Sequence, residues 1–147
     1  MPFSEPVRSN GDQVMADEIV VPIRTDADVV QARQRARTLA QPLRFTSSEL
    51  TLIATAISEV ARNIVSYAGR GDIILTLTQK GTRRGIRVIA RDSGPGIPDV
   101  ARALEDGYST SRGLGLGLPG SKRLMDEFEL VSTVGKGTQV TMVKWER

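Results

Sequence analysis

Two polar side chains share one face of a predicted helix. Glu59 and Asn63 stand four residues apart, within a stretch whose apolar residues recur at helical spacing, so both point the same way beside the buried stripe. A carboxylate can take a proton from an attacking hydroxyl, and an amide oxygen is a hard ligand that suits Mg²⁺. Glu59 and Arg62, three residues apart, also fit a plain ion pair on a wet helix face.

A glycine-rich turn follows a predicted strand. Residues 92–97 read DSGPGI, so Gly94 and Gly96 stand close to the carboxylate of Asp92. Glycines let the backbone bend closely against a flat ligand, and the carboxylate can accept a hydrogen bond from an exocyclic amine. These properties suit adenine, although an ordinary turn at the end of a strand has the same composition.

A second glycine-rich segment stands immediately before a predicted helix. Residues 113–120 read GLGLGLPG. Backbone N–H groups at a helix N-terminus favour phosphate oxygens, and alternating glycines let those oxygens approach without a clash against Cβ atoms, so the segment predicts a triphosphate site. Its GxGxxG spacing does not indicate a dinucleotide-binding fold, because it follows a polar loop and no acid stands about twenty residues further on.

The elements that must position these motifs alternate along the chain. The patterns predict strands at 19–23, 73–78, 86–91, 128–134 and 138–145, and helices at about 26–42, 46–67, 100–104 and 119–127. We therefore expect an α+β fold, a two-layer α/β sandwich with a mixed, mostly antiparallel sheet and its helices on one face. Residues 1–16 lack periodicity and are predicted to form a flexible leader, and residues 17–147 one domain.

Composition narrows the possible chemistry. The 147 residues include no His and no Cys, so disulfides, thiolate nucleophiles, Ser-His-Asp hydrolysis and phosphohistidine chemistry within this chain are excluded. A general base must then be Asp, Glu or Lys. Twenty Lys and Arg against 17 Asp and Glu give a net charge of +3, and no basic stripe or long apolar run stands out. We expect a cytoplasmic protein without a nucleic-acid or membrane partner.

The order of the motifs resembles that of the GHKL ATPases, which have the Bergerat ATP-binding fold. Glu59 and Asn63 match the N box, residues 92–96 and 113–117 match the two glycine boxes, and GKGT at 135–138 matches the closing element. Within this superfamily, SEVARN at 58–63 and EDGYSTSRGLGLGLPGSKRLMDEF at 105–128 resemble the RsbT-type switch serine/threonine kinases of the stressosome, in the anti-sigma regulatory kinase group. One departure from the superfamily is Ser66 with Tyr67, where many members have His or Lys.

The resemblance implies a role for each matching residue. Glu59 would be the general base, Asn63 would hold Mg²⁺, and Asp92 would bind the adenine amine. The rest of the adenine pocket would be Gly94, Gly96, Ile97 and Thr138. The residues implied around the triphosphate are Ser111, Arg112, Gly113, Leu114, Gly115, Leu116, Gly117 and Leu118, beneath a lid at about 99–112. Arg62 and Arg112 would neutralise phosphate charge.

The resemblance also implies an activity. It is that of a serine/threonine protein kinase which uses ATP and Mg²⁺ to phosphorylate STAS-domain partners of the RsbS and RsbR kind. The released kinase would then activate a PP2C-type phosphatase of the RsbU kind. Two other functions remain open: an ATP-binding anti-sigma factor that sequesters a sigma factor, and an ATP-gated interaction module without phosphoryl transfer.

Overall fold

Helices and antiparallel strands make up this computed structural model, which describes residues 13–14, 18–105 and 117–147. The strands are β1 (Gln13–Val14), β2 (Ile19–Ile23), β3 (Gly71–Lys80), β4 (Arg83–Asp92), β5 (Glu127–Thr133) and β6 (Gly137–Trp145). The helices are α1 (Asp26–Ala40), α2 (Ser47–Asn63), α3 (Val100–Ala103) and α4 (Gly117–Leu124), with a π-helical segment at Ile64–Ala68. Within the described residues, no helix is long and apolar enough to cross a membrane.

The strands form one sheet in the order β1-β3-β4-β6-β5, and β2 pairs with the same edge of β3 as β1 does. The described pairings are all antiparallel. Asp92, the last residue of β4, stands opposite Thr138 near the start of β6. The expected α+β fold is confirmed, and the register brings the first glycine box next to the closing GKGT element.

The helix α2 begins at the capping box that the sequence predicts. The backbone N–H of Glu49 donates to Thr46 Oγ1 at 3.1 Å, and the backbone N–H of Thr46 donates to Glu49 Oε1 at 3.0 Å. These bonds satisfy donors that a helix start otherwise leaves free. The predicted helix differs in one respect, because regular α-helix ends at Asn63 and the next five residues are π-helical.

The core lies between the helices and one face of the sheet. On that face β3 contributes Ile73 and Leu75, β4 contributes Val88, and α2 packs Ile53 and Ile57 against them. Ile57 has no exposed surface. Its truncation to Ala would leave a cavity and cost about 2–5 kcal/mol of folding free energy. The core therefore fixes α2, which carries Glu59 and Asn63, against the centre of the sheet.

The C-terminal residues after β6 are held by an ionic contact. Glu146 accepts from Arg84 Nε at 2.7 Å and from Arg84 Nη2 at 3.2 Å, and the backbone N–H of Arg44 donates to the same carboxylate at 2.6 Å. These bonds lower the pKa of Glu146, the Arg84 hydrogen bond most of all. The contact joins the end of the chain to β4 and to the loop between α1 and α2.

Candidate nucleotide and catalytic site

Residues from separate sequence motifs line one cavity of about 150 Å³ beside the ends of α2 and β4. The residues that the sequence singles out for this role are Asn63, Asp92, Gly96, Ile97, Leu118 and Thr138. The structure completes the wall with Tyr67, Pro95, Pro98 and Ala103. The wall is therefore mostly apolar, with a few polar groups that can orient a ligand, as small-molecule sites commonly are.

Asp92 is half-buried in this cavity. Its Oδ1 accepts the backbone N–H of Gly94 at 2.8 Å. Burial raises the pKa of Asp92, and hydrogen bonds from the backbone N–H groups of Gly94 and Thr138 partly oppose that rise. The carboxylate keeps acceptor capacity beyond these bonds, so it can also receive an N–H from a ligand amine.

The glycines of the first glycine box let the protein pack closely against itself. A Cβ at Gly94 would lie 2.6 Å from Ala68 Cβ, and a Cβ at Gly96 would lie 2.5 Å from the carbonyl oxygen of Thr133. Gly96 also has a φ of 81°, a left-handed conformation that other residues adopt at a cost. These glycines therefore shape the turn through contacts with the π-helical segment and β5, in addition to any contact with a ligand.

Hydrogen bonds fix the same turn to the hairpin of β5 and β6. The backbone N–H of Ile97 donates to Ser132 Oγ at 2.7 Å, and that hydroxyl lies 2.8 Å from Thr138 Oγ1. The backbone N–H of Gly135 donates to the carbonyl of Pro95 at 2.8 Å. The predicted closing element therefore supports the first glycine box directly. Ser132 connects the first glycine box to the closing element through its hydroxyl group, and the amino-acid sequence gives no signal for this role.

Glu59 is buried, with only 6% of its surface exposed. Its Oε1 accepts the backbone N–H of Gly117 at 2.7 Å, and its Oε2 pairs with Arg62 Nη1 at 2.8 Å. The ion pair that the helical spacing predicts is therefore present, but on a buried carboxylate and not on a wet helix face. The bond to Gly117 also ties α2 to the first residue of α4.

Asn63 lies one helical turn beyond Glu59 on α2. Asn63 lines the cavity that contains Asp92, whereas Glu59 lines a separate groove between α1 and α2. Regular α-helix ends at Asn63, and the π-helical segment then places Tyr67, which is 48% exposed, on the cavity wall. The four-residue spacing from Asn63 to Tyr67 is a signal that could have identified this aromatic residue.

The second glycine box is described only in part. Gly117 and Leu118 begin α4, and Leu118 is 3% exposed where it lines the cavity. The other residues predicted around the triphosphate, Ser111, Arg112, Gly113, Leu114, Gly115 and Leu116, lie outside the described residues.

The described side chains make no metal cage of their own. Within residues 18–105 and 117–147 there is no group of three or more His, Cys, Asp or Glu side chains that could hold a metal ion. Asn63 supplies an amide oxygen at the cavity wall. Mg²⁺ commonly takes one or two protein ligands and completes its shell with substrate phosphates and water, so a single amide oxygen fits a metal that arrives with a nucleotide.

Comparison with known families decides the class of this fold. Residues 23–144 match the model of the histidine kinase-like ATPase domain, a span from β2 to β6 that includes the whole cavity. The chain belongs to this family. The matched span includes both Asn63 on α2 and Asp92 at the end of β4.

Two relatives indicate the enzyme class more closely. The chain is 50% identical to the serine/threonine-protein kinase RsbT of Bacillus subtilis (strain 168) over 133 residues, which are 90% of this chain and 100% of RsbT. It is 34% identical to the anti-sigma F factor of Caldanaerobacter subterraneus subsp. tengcongensis over 118 residues, 78% of this chain and 82% of that protein. The enzyme class expected from the sequence, an ATP-dependent protein serine/threonine kinase, is confirmed.

A solved structure has the same fold. The chain aligns with a structure of the RsbU and RsbW domains of Rv1364c from Mycobacterium tuberculosis with a TM-score of 0.61. The alignment covers 90% of this chain and 33% of that chain at 18% sequence identity. At this identity the likeness supports the ATPase fold alone.

Proposed function

We propose that this kinase phosphorylates a Ser or Thr of STAS-domain proteins of the RsbS and RsbR kind, with ATP and Mg²⁺. The observation that carries the proposal is the buried carboxylate of Glu59, one helical turn before Asn63 on the nucleotide cavity. The 50% identity to RsbT supports the choice of substrate class. After release from that partner, the kinase activates a PP2C-type phosphatase of the RsbU kind, in a cytoplasmic stressosome pathway.

Nucleotide binding begins at Asp92. The carboxylate accepts a hydrogen bond from the exocyclic amine of adenine, and Ile97 and Leu118 supply apolar wall of the cavity for the ring. Gly94, Gly96 and Thr138 hold the turn that positions the carboxylate. The triphosphate extends toward the start of α4, where residues 111–118 and the backbone N–H groups of the second glycine box bind its oxygens.

The amide oxygen of Asn63 would hold the Mg²⁺ that arrives with the triphosphate. When bound, this metal would neutralise negative charge on the phosphates. Arg62 lies near Glu59 on the same helix and adds positive charge, and we assign Arg112 the same role.

Phosphoryl transfer uses Glu59 as the general base. The substrate hydroxyl oxygen bonds to the γ-phosphorus, the bond from that phosphorus to the bridging oxygen breaks, and the hydroxyl proton passes to the carboxylate. The two oxygens of Glu59 have about four acceptor positions, of which Gly117 and Arg62 occupy one each. The carboxylate therefore keeps acceptor capacity for a substrate hydroxyl beside these two described donors.

A labelling experiment tests this function. The purified protein is mixed with radiolabelled ATP, Mg²⁺ and each STAS-domain protein of the same genome, and the modified residue is identified by mass spectrometry. The proposal expects phosphate on a Ser or Thr of at least one of these proteins, and no transfer in the presence of EDTA. If none of these STAS-domain proteins receives labelled phosphate, the result contradicts the proposal.

The similarity to an anti-sigma F factor gives one specific reason to test a second function. In the same preparations, binding to the sigma factors of that genome is measured by calorimetry in the presence of ADP and ATP. Tight binding to a sigma factor without phosphate transfer to any STAS-domain protein would favour the anti-sigma function. ATP-dependent binding of a partner without any transfer would favour the interaction module.

A further inference from the structure

A groove of about 690 Å³ runs between α1 and α2, and none of its described lining residues also lines the nucleotide cavity. The α1 wall includes Arg33 and Arg37, and the α2 wall includes Thr51, Thr55 and Arg62. Glu59 also lines the groove, although it is buried. The groove is thus open to solvent and reaches the residue that we assign as the general base.

The charge of this groove is positive. Among the described lining residues, Arg33, Arg37 and Arg62 are cations and Glu59 is the only anion. Glu59 is already paired with Arg62. Arg33 and Arg37 stand one helical turn apart and are both exposed. Neither makes an ion pair with the described part of the chain. Their field therefore favours a ligand that brings carboxylates.

The hydroxyl groups on the α2 wall are hydrogen-bonded within the helix, so ionic recognition of a ligand depends on these arginines. The hydroxyls of Thr51, Thr55 and Ser58 donate to carbonyls four residues earlier in α2, at 3.0, 2.9 and 2.9 Å. Their hydrogens are thereby committed within the helix. Ala36 and Ala54 also line the groove, and their small side chains leave room for a peptide segment to approach the helix backbones.

We propose that this groove binds an acidic segment of the protein substrate and so brings the acceptor hydroxyl to Glu59. The inference rests on the proposed kinase function and adds the surface that recognises the substrate. Glu59 faces the groove, whereas Asn63, one turn further, faces the nucleotide cavity. Glu59 also accepts the backbone N–H of Gly117 at the start of α4, where we place the triphosphate. A substrate in the groove therefore reaches the base beside the phosphates without entering the adenine pocket.

Charge reversal on α1 tests the proposal. We would prepare Arg33→Glu, Arg37→Glu and the double variant in the full chain, with Arg35→Glu as the matched control, because Arg35 is an exposed arginine of the same helix outside the groove. Phosphorylation of the STAS-domain protein by each variant gives kcat and KM, and calorimetry with ADP gives nucleotide affinity. Calorimetry with the same STAS-domain protein measures docking without chemistry, and thermal unfolding checks the fold.

The two groove variants should each raise KM and the dissociation constant for the STAS-domain protein by about tenfold, because attraction becomes repulsion. ADP affinity and kcat should stay within about twofold, and Arg35→Glu should match wild type throughout. Unchanged docking in the double variant, or an equal loss in Arg35→Glu, overturns the proposal. Wild-type protein that binds no STAS-domain protein overturns it too, whereas binding without phosphate transfer overturns the kinase function alone.

Discussion

Replacing Asp92 by Asn should remove nucleotide binding while leaving the fold intact. Asp92 Oδ1 accepts the backbone N–H of Gly94 at 2.8 Å. An Asn that keeps this bond places its side-chain NH₂ where Asp92 has its second oxygen, so the adenine amine meets a donor instead of an acceptor.

The size of this effect follows from the two bonds involved. Losing a hydrogen bond to a charged acceptor costs about 1.5–3 kcal/mol, and leaving a buried donor unpaired costs about 1–3 kcal/mol. Together they predict a loss of affinity of about 10²- to 10⁴-fold. The loss should be similar for ADP and ATP, because both carry the same adenine.

Calorimetric titration of ADP and of a non-hydrolysable ATP analogue measures the effect. Asp72→Asn is the matched control, because Asp72 is also half-buried and stands opposite Arg91 at the start of β3, but does not line the nucleotide cavity. It should bind nucleotide as wild type does. A folded Asp92→Asn protein whose affinity lies within threefold of wild type would remove Asp92 from the adenine site.

Three further outcomes are expected. Asn63→Ala should weaken nucleotide binding more in the presence of Mg²⁺ than in EDTA, because it deletes a metal ligand and spares the adenine pocket. Titration in both buffers measures this difference, and equal losses of affinity would argue against a metal-binding role for Asn63. Burial raises the pKa of Asp92 above 3.8, so on acidification ADP affinity should begin to fall at a higher pH than an exposed Asp carboxylate would cause. Asp92→Asn should lack this pH-dependent fall in affinity. The pKa of Glu146 lies below 4.5, so its contacts contribute stability that is present above this value and is lost as pH falls through the lowered pKa. Urea unfolding of Glu146→Gln should therefore show lower stability than wild type at neutral pH and a weaker loss of stability in acid.

Much of the fold could be predicted from local patterns. The capping box at Thr46 and Glu49 fixes the start of α2, and alternating apolar residues identify β3 and β4 because each contributes one face to the core. The π-helical segment after Asn63 could not be predicted, because its residues continue the apolar spacing of a regular helix. The predicted end of α4 near Glu127 was too late, since the structure ends that helix at Leu124 and begins β5 at Glu127.

The candidate site was predictable where a residue type and its spacing both carried information. Asp92 and Thr138 belong to recognisable motifs, and strand pairing places them opposite each other. Ser132 and Ala103 carry no comparable signal, because a hydroxyl on a strand and a small residue on a short helix are common everywhere. The place of Glu59 on the groove between α1 and α2 depends on how these helices pack, which spacing within one helix does not specify. The leader at residues 1–16 stays a prediction, although Gln13–Val14 pair with β3.

The central claim is that Glu59 takes the proton of the substrate hydroxyl, and single-turnover phosphorylation by Glu59→Gln tests it most directly. The Gln side chain can still accept the backbone N–H of Gly117 but cannot accept a proton, so the transfer rate should fall by about 10²- to 10⁴-fold. ATP affinity should hold or rise, because an anion near the phosphates is removed. Glu59→Asp, which keeps a carboxylate, should retain more of the rate than Glu59→Gln. A folded Glu59→Gln protein that transfers phosphate at near the wild-type rate would contradict the account.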